Sequence, residues 1–515
     1  MLARIHGQRL QSPTQSVSSM SSSSYDEVPY SNKPYPQSHP DRLAVLAALF
    51  GMHPAPIARC RVLELGGGGG GNLIPMAYSL PGSQFLGVEL SARQVADGQA
   101  TIKALGLKNV EIRQLDILGV TESIGTFDYI IAHGVYSWVP DVVREKLLQI
   151  CRESLSPNGV AYVSYNTYPG WNFRGMVREM AQYHTRGIAK PAERIAKARE
   201  LLGFFAQSAP ADNPYAGALK AELEQWRKYA DAELFHEHLE DINEPVYFHQ
   251  FAERANRHGL QYLAEADFSA MQPVAFSSEA GEALRRITDD LVQTEQFMDI
   301  LRNRRFRQTL LCRKEIALER NLAPQSVMGF EIASAARPLP TGAFQLPNGV
   351  TFTSTDPLIK AAFGHLSEIW PQSVSFDGLV KAAGISNPDV QTLAAQILEG
   401  YARGLVVLRS QKAPFVTTVS ERPIASALAR HQAKTGEPVI NQLQESGLMD
   451  DFDRHMLQLL DGANDRNAMV ERLVKLVENG ALKSSSLGVD ALRRNLARAV
   501  EDNLGHFAKL ALLVG

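Results

Sequence analysis

The chain has 515 residues, of which 45% are hydrophobic and 21% charged, and its formal net charge is -3. Such a length calls for about two to four domains, and the composition is that of an ordinary water-soluble protein. No apolar run approaches the roughly 20 residues that cross a bilayer. The scattered Cys60, Cys151 and Cys312 provide neither a disulfide framework nor a zinc cluster, so a reducing cytoplasm and no metal are expected.

Residues 1–24 hold arginines and many serines without an acid, and they read as a disordered tail in preference to a transit peptide. From residue 40 onward short apolar runs alternate with helical periods. A helix is predicted over Asp41 to Met52, a strand over Arg61 to Leu65, and a helix over Asn72 to Ser79 with Pro75 in its first turn. Strand Gln84 to Leu90 follows, then a helix capped by Ser91 that runs to Ala104, then strands Val110 to Leu115 and Phe127 to Ala132. Val142 to Leu155 has helical spacing, Pro157 to Gly159 (PNG) makes a turn, and Val160 to Tyr165 is the fifth strand. Strands joined by helices pair in parallel, with the crossovers covering both faces of an α/β sheet.

Arg174 to about Glu240 is helical and polar, as expected of an insertion or lid. Leu260 to Ala264 and Arg307 to Arg313 again resemble strands, so the sheet is expected to gain its last members after the lid. Pro and Gly between Asn321 and Gly349 mark a linker. Beyond it, helices over Pro357 to Trp370, Phe376 to Ala383 and Val390 to Gly404 precede the short strand GLVVLRS, an order that suits a winged helix. Helices over Asp451 to Asp461 and Asn467 to Glu478 complete the C-terminal part. The expected division is therefore a tail (1–24), a ligand-binding core (25–171), a lid returning to the sheet (172–320), a linker (321–349) and a mainly helical C-terminal domain (350–515).

Between the first strand and the next helix stand six consecutive glycines, Gly66 to Gly71. A glycine-rich loop there lets a ligand touch bare backbone beside free helix N–H groups. Gly66, Gly68 and Gly71 satisfy the dinucleotide spacing G-x-G-x-x-G, while Glu64, Gly66, Gly68 and Gly70 spell E-x-G-x-G-x-G, the loop of class I S-adenosylmethionine enzymes. Glu89, at the end of the second strand, is placed to accept from the hydroxyls of a ribose, which NAD would also use. Asp116, after the third strand, is placed to accept from an adenine amino group, with Ile117 packed on the ring. Glu64 lies in an apolar strand, where a carboxylate is costly unless paired, and a donor's α-amino group would be one partner.

HGVYSWVP (His133 to Pro140) follows the fourth strand and SYNTYPGW (Ser164 to Trp171) the fifth, both at the sheet edge where open parallel sheets bind ligands. Tyr136, Trp138, Tyr165, Tyr168 and Trp171 are therefore candidates for one pocket. Aromatic faces attract a sulfonium or an alkylated ammonium at about 0.5–2 kcal/mol each. His133 reads equally as a proton acceptor or a hydrogen-bonded core histidine, and Tyr136 or Tyr165 as the group that aligns a neutral amine.

The segments YDEVPYSNKPYPQSHPDRLAVLAALFG, CRVLELGGGGGGNLIPMA, FDYIIAHGVYSWVP, GVAYVSYNTYPGW and HEHLEDINEPVYFHQFAERANRHGLQYLAEADF, with RNRRFRQTLLCR, RPIASALARHQAKTGEPV and HMLQLLDGANDR, resemble bacterial class I methyltransferases with a methyltransferase regulatory domain. That family includes the rickettsial-type protein lysine methyltransferases. The resemblance implies a Rossmann-like sheet, a helical regulatory segment and a winged-helix-like C-terminal domain. It also implies S-adenosyl-L-methionine as cofactor, held by Glu64, Gly66, Gly68, Gly70, Glu89, Asp116 and Ile117, with Tyr35, Ser38 and His39 closing over its methionine end. Where such loops often carry cysteine and a larger residue, this one carries Gly67 and Gly69.

By the same resemblance the acceptor is a protein lysine and the partner a surface or outer-membrane protein; from their place after the fourth and fifth strands, Tyr136, Trp138, Tyr165 and His133 are the expected catalytic residues and Tyr168 and Trp171 the expected substrate contacts. A small-molecule methyltransferase is the alternative. A nicotinamide oxidoreductase rests only on the shared glycine spacing and Glu89. A noncatalytic DNA-binding regulator lacks support, because Asp356 to Lys412 mixes acids and bases without a basic patch.

Overall fold

Seven strands build one sheet: β1 (Arg61–Leu65), β2 (Gln84–Glu89), β3 (Val110–Gln114), β4 (Phe127–Ala132), β5 (Leu155–Asn166), β6 (Leu260–Glu265) and β7 (Phe306–Arg313). The computed structural model describes Val28 and residues 32–272, 278–385, 389–483 and 489–515; the expected tail over 1–24 lies outside the described residues. The spatial order is β3-β2-β1-β4-β5-β7-β6, with β1 to β5 parallel and β7 antiparallel to both β5 and β6. The chain thus winds outward from β1 to β3, returns to β4 beside β1, and adds β6 and β7 only after the lid.

The alternation of side chains along each strand divides the core. Val62, Phe85, Tyr129, Ile131 and Tyr162 face helices Pro40–Leu49 and Leu73–Ser79. Leu63, Val88, Ile130, Ala132 and Val163 face helices Asp141–Ser154 and Phe248–Arg257. Because both faces are covered, β4 reads as an apolar run, with Tyr129 to Ala132 fully buried.

Two expectations are corrected. The PNG segment is not a separate turn before β5: the strand begins at Leu155, and Pro157 to Gly159 bulge out between the Phe127–Leu155 and Tyr129–Val160 pairs. Space requires the glycine there, since a Cβ on Gly159 would lie 2.7 Å from Leu155 Cγ. Residues 321–349 are likewise more than a linker, because strand Glu331–Ala333 is the centre of a three-stranded sheet between Val374–Ser375 and Val407–Arg409, with Ile332 and Ala333 fully buried.

The lid consists of helices Gly170–His184, Pro191–Ser208, Pro214–Lys228 and Asp231–His238, which enclose a small core of their own around Leu202, Trp226 and Leu234. The C-terminal part has two units. The first, around the Glu331–Ala333 strand, shares its core with the main sheet. The second, from Ala425 to Leu513, has a separate core that includes Met456, Leu473 and Phe507.

Candidate active site

The order of the strands reverses between β1 and β4, and a crevice opens there at their carboxyl ends, as in other open α/β sheets. The Gly66–Gly71 loop forms one wall. Gly66, Gly68 and Gly70 have φ of 70°, 56° and 79°, the left-handed region that a side chain resists. Their absent side chains also clear space: a Cβ would stand 2.6 Å from Val135 Cγ2 at Gly66 and 2.7 Å from Ile112 Cδ1 at Gly70. Every second glycine is thus fixed by conformation, and these are the three of the E-x-G-x-G-x-G spacing. At Gly67 a Cβ would lie 3.0 Å from Glu64 Oε2, so a side chain there would press on the carboxylate beneath the loop.

Glu64 is only 2% exposed. Its Oε1 accepts from Asn72 Nδ2 at 2.7 Å, whereas Oε2 is buried without a protein partner. Asn72 stands at the N-cap position of helix Leu73–Ser79 yet does not cap it. Instead its amide nitrogen also donates to Ser38 Oγ (3.0 Å), and its Oδ1 accepts from the Tyr35 N–H (2.8 Å). Burial pushes the Glu64 carboxyl up to about 7, with Glu89 adding to the shift and the Asn72 hydrogen bond opposing it. A buried carboxylate oxygen left without a donor suits an incoming ammonium.

Glu89 accepts from the Gly68 N–H and the Ser91 N–H, each at 2.9 Å, which ties the end of β2 to the glycine loop. Asp116 accepts from the Leu118 N–H at 2.9 Å and lines the crevice together with Ile117. Glu64, the loop, Glu89, Asp116 and Ile117 border one cavity of about 590 Å³, within the size range of small-molecule sites. The unpartnered Glu64 oxygen, the bare loop backbone and the acids at the ends of β2 and β3 fit the amino, sulfonium and adenosyl parts of S-adenosylmethionine.

The same cavity is lined by His133, Trp138, Asn166 and Phe306 and by His236 and Glu237 of the lid. His133 Nδ1 is 2.8 Å from the Tyr162 hydroxyl, and Tyr35 stacks on the imidazole with ring centroids 3.5 Å apart. Burial, reinforced by Lys33, pushes His133 down to about 3. A base that weak cannot deprotonate an ammonium, so the geometry favours the hydrogen-bonded histidine of the two readings.

Several other expected residues stand away from the cavity, and their expected contacts are corrected. Tyr136 and Tyr165 are buried behind it against Phe251, and the Tyr165 hydroxyl is engaged with Thr309 Oγ1 at 3.0 Å. Tyr165, on β5, shares the face of Ala161 and Val163 toward helix Phe248–Arg257, and the turn after β4 sends Tyr136 into the same apolar core. Tyr168 packs on Tyr247, and the buried Trp171 stands edge-on to Trp138, supporting that side chain from behind. His39 caps helix Pro40–Leu49 by accepting from the Asp41 N–H, and Ser38 reaches the site only through Asn72. Gly70 supports the loop from the side of Ile74 and Ile112. Asn72, Phe306, His236 and Glu237 were not anticipated. Asn72 directly after the glycines was a local signal, but nothing in the sequence near residues 236 and 306 points to residues 64–72.

Three family descriptions match the chain: "Methyltransferase domain" over residues 63–161, "Predicted methyltransferase regulatory domain" over 230–313, and "PKMT, C-terminal winged helix domain" over 421–512. The winged-helix match thus falls on the second C-terminal unit, not on the 357–410 segment whose element order suggested it. The Rickettsia prowazekii protein RP789 is 35% identical over 518 residues, covering 95% of this chain and 93% of its own. The structure of PKMT2 from Rickettsia typhi is 30% identical with a TM-score of 0.86, covering 94% of this chain and 100% of that one. PKMT2 in complex with AdoHcy is 31% identical with a TM-score of 0.85, covering 95% and 100%. With its glycine loop, its regulatory segment and relatives matched along nearly their whole length, the chain belongs to the bacterial class I S-adenosylmethionine-dependent methyltransferases with a methyltransferase regulatory domain.

Proposed function

We propose that this methyltransferase modifies lysine side-chain amines of a protein substrate, a surface or outer-membrane protein being the expected partner. The observation that carries the reading is that one cavity is lined both by the glycine loop and by Glu237 of the lid. Its cofactor end holds the loop, Glu64, Glu89 and Asp116, and its other end joins aromatic walls to a carboxylate. The full-length likeness to PKMT2, a structure known in complex with AdoHcy, supports the same assignment.

S-adenosylmethionine supplies an electrophilic methyl group on a sulfonium. The chain's part is to hold and align. Glu64 would take the amino group on its free oxygen, Glu89 the ribose hydroxyls and Asp116 the adenine amine, while Ile117 packs on the ring. Trp138 and Phe306 would give the acceptor end an apolar wall, which lowers the cost of keeping an amine neutral. Alignment of a desolvated nucleophile is the main catalytic resource for such a displacement.

The test is incubation of the full-length protein with methyl-labelled S-adenosylmethionine and lysine-bearing polypeptides, followed by mass-spectrometric mapping. Label on lysine side chains is the expected result. Label recovered only in a small soluble product would replace the protein acceptor with a small molecule.

A further inference from the structure

We propose that Glu237, on lid helix Asp231–His238, seats the cationic amine of the acceptor and takes its proton before methyl transfer. This deepens the lysine reading and rests on it. It makes the regulatory segment a direct supplier of the reaction's machinery and confines the enzyme to cationic acceptors.

Among the acids that line the cavity, Glu237 stands apart. Glu64 holds Asn72, Glu89 holds two backbone N–H groups, and Asp116 holds the Leu118 N–H. Glu237 has no hydrogen bond or ion pair to any described residue. Its helix is nevertheless fastened on both sides. Glu233 pairs with Lys33 at 2.7 Å, and the His236 ring nitrogens meet Glu240 Oε1 at 2.8 Å and the Val28 carbonyl at 2.6 Å. His238 lies 3.2 Å from Arg174 Nη2. An anchored helix that leaves one carboxyl unpartnered, facing a cavity shared with Trp138 and Phe306, has the form of a receptor for a cation.

The charged groups around Glu237 are Arg174 and Arg178 from helix Gly170–His184, Glu222 from helix Pro214–Lys228, Glu233 and His236 on its own helix, and Lys33 through its pair with Glu233. Burial dominates and raises the carboxyl above its ordinary range; Glu233 and Glu222 add to the rise, while Arg174 and His236 oppose it. A raised carboxyl is a stronger base for a bound ammonium. The step moves one proton from the ammonium nitrogen to a Glu237 oxygen. A cation and an anion become a neutral amine with a lone pair and a neutral carboxyl, and the carboxyl later returns its proton to water.

The experiment uses the full-length protein saturated with S-adenosylhomocysteine, titrated with Nα-acetyl-lysine methylamide and with its norleucine counterpart. The wild type is expected to bind the lysine probe at least about tenfold more tightly, equivalent to ~1.4 kcal/mol. In Glu237→Gln that preference disappears while the homocysteine ligand binds within about twofold of wild type, and Glu237→Asp, which keeps the charge, recovers part of it. In label transfer, Glu237→Gln should gain about tenfold in kcat/KM per pH unit toward the ordinary lysine value, ~10.4, whereas the wild type levels off earlier. A lysine preference that survives in Glu237→Gln, or is absent from the wild type, overturns the proposal. A Glu237-dependent preference with no label on any lysine supports the amine seat and overturns the lysine acceptor, which separates the two.

Discussion

Gly68 combines two constraints, a φ of 56° and a backbone N–H given to Glu89 at 2.9 Å. A β-branched residue there is strained in the left-handed region, and its Cβ would meet Gln94 Oε1 at 2.7 Å. Gly68→Val should therefore weaken S-adenosylhomocysteine binding by at least about 100-fold in calorimetry, since two interactions at ~1.4 kcal/mol per factor of ten are lost together. Glu64 makes a pH-dependent prediction. Its folded value, about 7, is above the ordinary 4.5, so its contribution to stability is fully present at low pH and is lost as pH rises through about 7. Binding of an ammonium selects the ionised form, so the sign reverses for the ligand: S-adenosylhomocysteine should bind about tenfold more weakly at pH 6 than at pH 8, with proton release at the lower pH. Glu64→Gln should flatten that profile, and an unchanged slope would assign the titration to another group. The glycines and Glu64 were legible because spacing alone exposes them. Asn72, which holds Glu64 instead of capping its helix, was not, because a residue's choice between capping and a tertiary partner is decided by what stands opposite.

At the scale of elements, β6 and β7 were legible as strands that join the sheet after the lid, but not their order or their antiparallel pairing. What fastens them was hidden. Arg307 is fully buried and pairs with Glu265 (2.7 Å), Asp299 (2.7 Å) and Glu295 (2.9 Å), with its guanidinium 3.8 Å from the centre of the Phe248 ring. Those partners sit on β6 and on helix Leu291–Arg302, and in the sequence RQTLLCR the arginine looks like an ordinary strand-end polar residue. Arg307→Met leaves Glu265 and Asp299 with Arg304 as ion-pair partner and Glu295 with none among the described residues, and should cost about 3–5 kcal/mol in urea unfolding. The aromatic loops tell a similar story. Trp138 lines the cavity as its position at the end of β4 suggested, while Tyr136, two residues earlier, turns into the core, because the 3₁₀ turn Tyr136–Trp138 presents its residues to different sides. Trp138→Ala should accordingly reduce turnover about tenfold or more with little change in S-adenosylhomocysteine affinity; equal losses in both would place Trp138 on the cofactor.

The whole molecule divides by its cores in a way the chain order only half reveals. The first C-terminal unit merges with the methyltransferase sheet: Tyr401 stacks on Phe268 at 5.1 Å, and Asp41 accepts from the Ser410 N–H at 2.7 Å. A proline-rich stretch suggested a boundary there, yet the segment supplies the strand that joins the unit together, so composition marked the turns and missed the packing. The second unit keeps its own core and touches the rest through such contacts as the Ala427 N–H donating to the Tyr78 hydroxyl at 2.8 Å. Units with separate cores behave as separate domains, for which a single two-state transition is not expected. A calorimetric scan should therefore show two transitions, one for the sheet with its lid and first C-terminal unit, and one for residues 425–513. S-adenosylhomocysteine at about 100 times its Kd adds ~2.7 kcal/mol to whichever unit holds the glycine loop and nothing to the other. It should raise only the first transition, and Gly68→Val should abolish that rise while leaving the second in place. A ligand that raised both together would mean that the C-terminal unit is coupled to the active site through the Tyr78 interface, and would make this unit part of the binding equilibrium.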